Sequence, residues 1–147
     1  MAKFTYNMQS VLNIKYKMEN QEKIAYANAQ AKLRKEEEKL NQYRERRLFY
    51  ENKMRGKMEK KLDVRALYEC NQGIEIMKDA ITSQKKEVAR AQVFVDQAQE
   101  RLNEAMKERK THEKLRENAL EAFIQEMNAQ ESKEIDELVS YNYASAT

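Results

Sequence analysis

Residues that could carry catalysis or bind a metal are sparse in this 147-residue chain. Glu108 and His112 are four residues apart and would share a helix face, but one carboxylate and one imidazole are half of a metal site, and packing or an ion pair suits His112 better. The single cysteine, Cys70, cannot form an internal disulfide, and a reactive thiol would need a basic pocket around it. No nucleophile–base–acid set, phosphate-binding loop or cysteine-rich metal motif is present. We therefore expect a non-catalytic protein without cofactor or metal sites.

The composition favours long helices. The chain has no Pro, two Gly and 36% charged residues, and its mean hydropathy is −1.01. Helix breakers are thus almost absent, and there is too little apolar material for a rounded core. No apolar run approaches ~18 residues and no apolar leader opens the chain, so we expect neither a membrane span nor a secretion signal. A lone cysteine suits the reducing cytoplasm.

An apolar repeat with alternating steps of three and four residues runs from Ile74 to Phe123. A period of 3.5 residues keeps one seam of a helix facing a partner helix, which is the pattern of a coiled coil and argues against a disordered chain. One column of the seam is large or β-branched and the other is mostly alanine, which lets two backbones approach closely. The seam consists of Ile74, Met77, Ile81, Gln84, Val88, Ala91, Val95, Ala98, Leu102, Ala105, Arg109, His112, Arg116, Ala119 and Phe123.

A poorer stripe precedes it. It includes charged residues whose long stems can pack while their heads reach water. Two runs of consecutive four-residue steps loosen the 3.5-residue period locally. The predicted stripe is Phe4, Met8, Val11, Lys15, Met18, Glu22, Ala25, Ala29, Leu33, Glu36, Leu40, Tyr43, Arg47, Tyr50, Met54, Met58 and Leu62.

The two stripes predict an all-α fold, a long antiparallel two-helix coiled-coil hairpin. The pattern weakens between Gly56 and Gly73, and Asp63 is a plausible N-cap. We predict one hairpin over residues 1–147. A first helix covers about 4–60, a turn about 60–66, a second helix about 64–138, and a frayed tail 139–147. An intermolecular dimer of straight helices is the competing architecture, and the interruption between the glycines argues against it.

Charge is distributed unevenly along the chain. Residues 44–65 carry nine basic and four acidic groups, whereas residues 113–147 carry three basic and eight acidic groups. Opposite charge at the two ends of a hairpin suggests that the ends have different partners. The basic stretch could touch nucleic acid or anionic lipid, but acids interrupt it and no recognition fold surrounds it, so we expect no nucleic-acid partner.

Tyrosines and methionines near the hairpin tip are candidate anchors for a partner protein. Tyr43 and Tyr50 are seven residues apart and share a face. A second face across the turn consists of Ile74, Met77, Ala80, Ile81 and Gln84. Such side chains on a thin coiled coil fit a protein groove. Filling of the seam where the helices splay is the alternative explanation.

Several short motifs, in their order and spacing, resemble the flagellar export FliJ family over almost the whole chain. They are Phe4-x-Tyr6-x-Met8-Gln9-x-Val11-Leu12-x-Ile14-Lys15, Glu19-x-Gln21-Glu22-Lys23, Tyr26-Ala27, Glu36-Glu37-x-x-Leu40, Leu62-Asp63-Val64, Ile74-Glu75-x-Met77-Lys78 and Lys133-Glu134-Ile135-Asp136-Glu137-Leu138. The family is similar to the coiled coil of the gamma subunit of rotary ATPases. The resemblance implies a cytoplasmic component of the flagellar type III export apparatus, located peripherally on the cell membrane at the flagellar base.

The resemblance also implies partners and sites. The partners would be the hexameric export ATPase, which the chain would stimulate from within its pore, the cytoplasmic domain of the export gate, and export chaperones. The gate-binding face of the family falls here on Tyr43, Tyr50, Met77, Ala80 and Gln84. This chain departs from the family at Gly73, where an aromatic residue is frequent, and at Gln84, where some members have His.

The open end of the hairpin is the expected ATPase-binding end. A second helix longer than the first would leave an acidic end that makes the stalk asymmetric, and the N-terminal residues would hold that end in register. The expected residues are Phe4, Tyr6, Met8, Glu131, Glu134, Asp136 and Glu137, with Glu126 nearby. A generic structural coiled coil that dimerises or spaces other proteins is the alternative from a different class.

Overall fold

The computed structural model describes residues 2–59 and 63–146, except for the side chains of residues 57–59. Helix α1 spans Gln9–Glu59 and helix α2 spans Val64–Ala146. The two helices pack against each other, so the predicted all-α helical hairpin is confirmed. Two compact units make up the chain: Gln21–Leu102, here called the central unit, and the residues up to Asn20 with those from Asn103 onward, here called the terminal unit.

Local hydrogen bonds determine where the helices begin. The Asp63 carboxylate accepts a hydrogen bond from the Arg65 backbone amide at 3.1 Å, so Asp63 caps α2 as predicted. The second helix begins at Val64, as predicted, so residues 64–66, which the predicted turn and helix shared, are helical; residues 60–62 lie outside the described part. The first helix begins at Gln9 rather than near Phe4, because the Tyr6 carbonyl accepts a bond from the Gln9 amide in a turn.

The tail differs from the expectation as well. Residues 139–146 continue α2 instead of fraying, since no Gly or Pro follows Leu138 to stop the helix. Every residue from 128 to 146 is exposed. We call this stretch the acidic extension.

The seam of α2 is confirmed, since all of its predicted positions are buried or half-buried. In the central unit Ile74 and Ile81 are buried, and farther along the seam Val95 lies between the nearly inaccessible Ala91 and Ala98. Small residues of this kind let helices approach closely, and the large neighbours fill the remaining space. The core is therefore a narrow strip between two helices.

The stripe of α1 is shifted in the terminal unit. Met8 and Met18, predicted to lie in the stripe, are 48% and 42% exposed, whereas Leu12 and Glu19 are buried at 2% and 4%. Burial of Glu19 in place of Met18 is possible because Arg109 lies opposite and neutralises its charge. The sequence favoured Met18 over Glu19 for the buried position, because burying a carboxylate without a partner costs free energy.

Candidate interaction surfaces

The predicted gate-binding residues lie in the central unit and are mostly occupied by contacts between the helices. Tyr43, Tyr50, Met77 and Ala80 are half-buried, and Gln84 is 7% exposed. The Gln84 side-chain amide donates to the Glu36 backbone carbonyl at 2.9 Å and to the Glu36 carboxylate at 2.5 Å. Gln84 therefore joins the two helices. A partner could contact only the exposed parts of the other four side chains.

Tyr50 packs flat against Gly73 of the opposite helix. A Cβ atom at Gly73 would lie 3.0 Å from three carbons of the Tyr50 ring, closer than ordinary van der Waals contact. At Gly56 nothing lies within 4 Å of such an atom. The ring of Tyr50 thus occupies the space that a larger residue at position 73 would need.

Two apolar side chains that the sequence analysis did not select are more exposed than the selected ones. Phe49 is 58% exposed and Ile76 is 61% exposed. The Phe49 ring meets the Tyr50 ring edge-on with centroids 5.7 Å apart, and the Lys53 ammonium lies 6.0 Å from its centroid. Both residues stand one position off the seam, which is the signal that could have identified them. Phe49 therefore extends the apolar surface beside Tyr50.

At the other predicted site, aromatic packing holds the N-terminal residues on α2. The rings of Phe4 and Phe123 lie 5.4 Å apart, and the Arg116 guanidinium stands 5.6 Å from the Phe4 centroid. Arg116 also donates to the Gln9 side-chain oxygen at 2.9 Å. Of the other two residues predicted for this site, Tyr6 is half-buried and Met8 is exposed. Phe4 thus fixes the start of the chain in register.

The acidic residues predicted for this end all lie in the acidic extension. Glu131, Glu134, Asp136 and Glu137 are exposed, together with Glu126 just before it. Ile135 and Leu138 are 61% and 65% exposed, and they share a shallow hollow with Glu131 and Glu134. Carboxylates and apolar side chains therefore form one continuous face.

A polar cluster crosses the helix pair in the terminal unit. Arg109 donates to both carboxylate oxygens of Glu19, at 2.6 and 3.2 Å, and to Glu113 at 3.1 Å. The Tyr16 hydroxyl donates to Glu113 as well, and Lys15 pairs with Glu108 at 2.9 Å. Bidentate arginine–carboxylate contacts impose a geometry, so this cluster selects one register among the many that coiled helices allow.

The cluster perturbs the groups within it. The hydrogen bond from Tyr16, followed by those from Arg109, lowers the pKa of Glu113. The same bond to Glu113 raises the pKa of Tyr16. Hydrogen bonding to Glu19 raises the pKa of Arg109 above its already high ordinary value. Glu113 and Arg109 therefore remain charged and Tyr16 remains neutral at neutral pH, which indicates that the cluster has a structural role.

The residues first considered for catalysis or metal binding have structural surroundings. His112 is half-buried in the seam, and the Glu108 carboxylate is used by Lys15. Cys70 is buried at 3% exposure. Within residues 2–59 and 63–146, no group of three or more His, Cys, Asp or Glu side chains could hold a metal ion. Neither helix, as far as it is described, has a stretch long and apolar enough to cross a membrane.

Comparison with known proteins agrees with this arrangement. The sequence profile of the family described as flagellar FliJ protein matches residues 4–147. A solved structure of a proposed YscO homolog from Chlamydia trachomatis is similar in fold, with a TM-score of 0.58, 19% sequence identity, and 96% of each chain covered. No curated protein matches the chain significantly. Because the family profile covers nearly all of the helical hairpin, the chain belongs to the flagellar FliJ family, whose members are coiled-coil proteins associated with type III export.

Proposed function

We propose that this chain is a central stalk of the flagellar type III export apparatus. It stimulates the hexameric export ATPase through the terminal unit, contacts the cytoplasmic domain of the export gate through the surface around Tyr50 and Met77, and binds export chaperones. In this role it acts on the cytoplasmic face of the membrane at the flagellar base, and it activates a partner enzyme without catalysing a reaction.

The acidic extension carries the proposal. Residues 128–146 form an exposed helix with an acidic and apolar face, next to a helix pair that Phe4 and the Arg109 cluster hold in one register. A ring of subunits responds to a stalk only if the stalk binds one subunit conformation better than another. A stiff pair with a one-sided helical end offers such a difference.

Steady-state ATP hydrolysis by the purified export ATPase tests the role. Full-length protein should stimulate hydrolysis, and a variant lacking residues 124–147 should lose most of that stimulation. The same truncated variant should still bind the cytoplasmic domain of the gate, because the residues proposed to bind the gate lie in the central unit, which the truncation leaves intact. Retained gate binding is the control for folding.

The outcomes separate the alternatives. Equal stimulation by both forms would assign the ATPase contact to a different part of the chain. No stimulation by either form, with no gate binding, would favour the generic structural coiled coil.

A further inference from the structure

One side of the central unit has an apolar hollow next to a ridge of lysines. The hollow is lined by Asn28, Ala29, Lys32, Ala91 and Phe94, and Phe94 is 60% exposed. A second hollow continues it along α1 and is lined by three lysines and one carboxylate, namely Lys32, Lys35, Lys39 and Glu36, together with Asn28 and Ala31. We call the two together the lysine groove. Its apolar floor and cationic edge resemble a site for an acidic amphipathic helix.

Two of these lysines are available for a partner. Lys39 pairs with Glu36 at 3.7 Å, and on α2 the guanidinium of Arg90 pairs with Glu87 at 2.9 Å. Lys32 and Lys35 are exposed, and neither makes an ion pair within the described part of the chain. They are three residues apart on a helix, so their ammonium groups point to the same side.

The acidic extension has the complementary pattern. Glu131 and Glu134 are also three residues apart, and Ile135 and Leu138 continue the same face. Ile135 and Leu138 are 61% and 65% exposed, so a partner surface that covers them would remove apolar area from water. Two acidic extensions would repel each other, whereas the lysine groove attracts one.

We propose that the acidic extension of one copy of this chain docks in the lysine groove of a second copy. The register follows from the spacing: an extension running antiparallel to α1 places Glu131 at Lys35 and Glu134 at Lys32 together. The same register brings Ile135 to Ala31 and Leu138 to Asn28, beside the exposed ring of Phe94. Both charged pairs then form without a shift along either helix, and Ile135 and Leu138 lie over the side of α1 that lines the hollow beside Phe94.

The proposed self-association goes beyond the export role and does not depend on it. Because docking uses Glu131 and Glu134, it would compete with any ring that grips the same end.

Sedimentation equilibrium of the full chain at low ionic strength tests the inference. We expect a mass that rises with protein concentration and falls toward the monomer at high salt, because exposed ion pairs are screened. The double charge reversals Lys32→Glu with Lys35→Glu, and Glu131→Lys with Glu134→Lys, should each weaken association about tenfold or more. An equimolar mixture of the two variants should recover it, since the reversed charges match again.

Two further variants control the experiment. Lys85→Glu with Lys86→Glu changes the net charge equally at exposed sites outside the groove and should leave association unchanged. Leu138→Asp should abolish association while the circular dichroism of the hairpin persists, because Leu138 is 65% exposed. A wild-type chain that stays monomeric at every concentration would overturn the proposal. So would a mixture of reversed variants that fails to associate, or a Lys85/Lys86 variant weakened as much as the Lys32/Lys35 variant.

Discussion

Replacing each glycine by alanine in turn should change stability in opposite directions. Alanine favours a helix over glycine by about 1 kcal/mol. At Gly56 a Cβ meets nothing within 4 Å, so Gly56→Ala should gain that amount. At Gly73 the Cβ would be pressed against the Tyr50 ring at 3.0 Å. Overpacking of this kind costs about 1–3 kcal/mol, so Gly73→Ala should lose up to about 2 kcal/mol overall.

Urea unfolding followed by circular dichroism at a helical wavelength measures both variants, and Gly56→Ala is the matched control. The cause is tested in a Tyr50→Ala background, where the ring is absent and Gly73→Ala should become stabilising by about 1 kcal/mol. If Gly73→Ala stabilises the unmodified chain as much as Gly56→Ala does, the Tyr50 ring does not lie on Gly73.

Three further predictions follow from the contacts. The first uses a chain in which alanine replaces Cys70 and cysteines replace Phe4 and Phe123. A short thiol crosslinker should join the two cysteines within one chain, because the rings of Phe4 and Phe123 lie 5.4 Å apart. Crosslinks formed only between chains would support the intermolecular dimer. The pKa of Glu113 is lowered, so its contribution to the free energy of unfolding is present at neutral pH and is lost as the pH falls below the ordinary value of 4.5. Glu113→Gln should therefore flatten the acid side of a plot of stability against pH. A plot that the substitution leaves unchanged would contradict this. Met77→Asp should abolish binding to the gate domain while helicity stays nearly intact, because a charge in a desolvated contact is costly; a collapse of helicity would show that Met77 only fills the seam.

Periodicity was sufficient to predict the α2 seam because a repeat of 3.5 residues places every seam position on one face of the helix, whichever residues lie opposite. Ile74, Ile81 and Ala91, all predicted to lie in the seam, are buried. Asp63 was predictable as a cap for the same reason, since capping depends on neighbours two or three residues away.

The prediction of the α1 stripe from hydropathy was wrong in part of the terminal unit. A carboxylate at position 19 looks unsuited to a buried site, and Met18 beside it looks suited. The pairing of Glu19 with Arg109, ninety residues later, reverses that preference. A charge can be buried only beside a partner, and a partner distant in the chain becomes visible only when the helices are brought together.

The candidate sites divide in the same way. Which residues are acidic, basic or aromatic, and which of them share a helix face, was determined by the sequence, because a helix repeats its geometry along the chain. Which of them remain accessible was decided by the tertiary structure: Gln84 is taken up by Glu36 and Tyr50 by Gly73, while Phe49 and the acidic extension stay exposed. Exposure depends on how the facing helix covers each position, and residues beyond the reach of that helix remain open to partners.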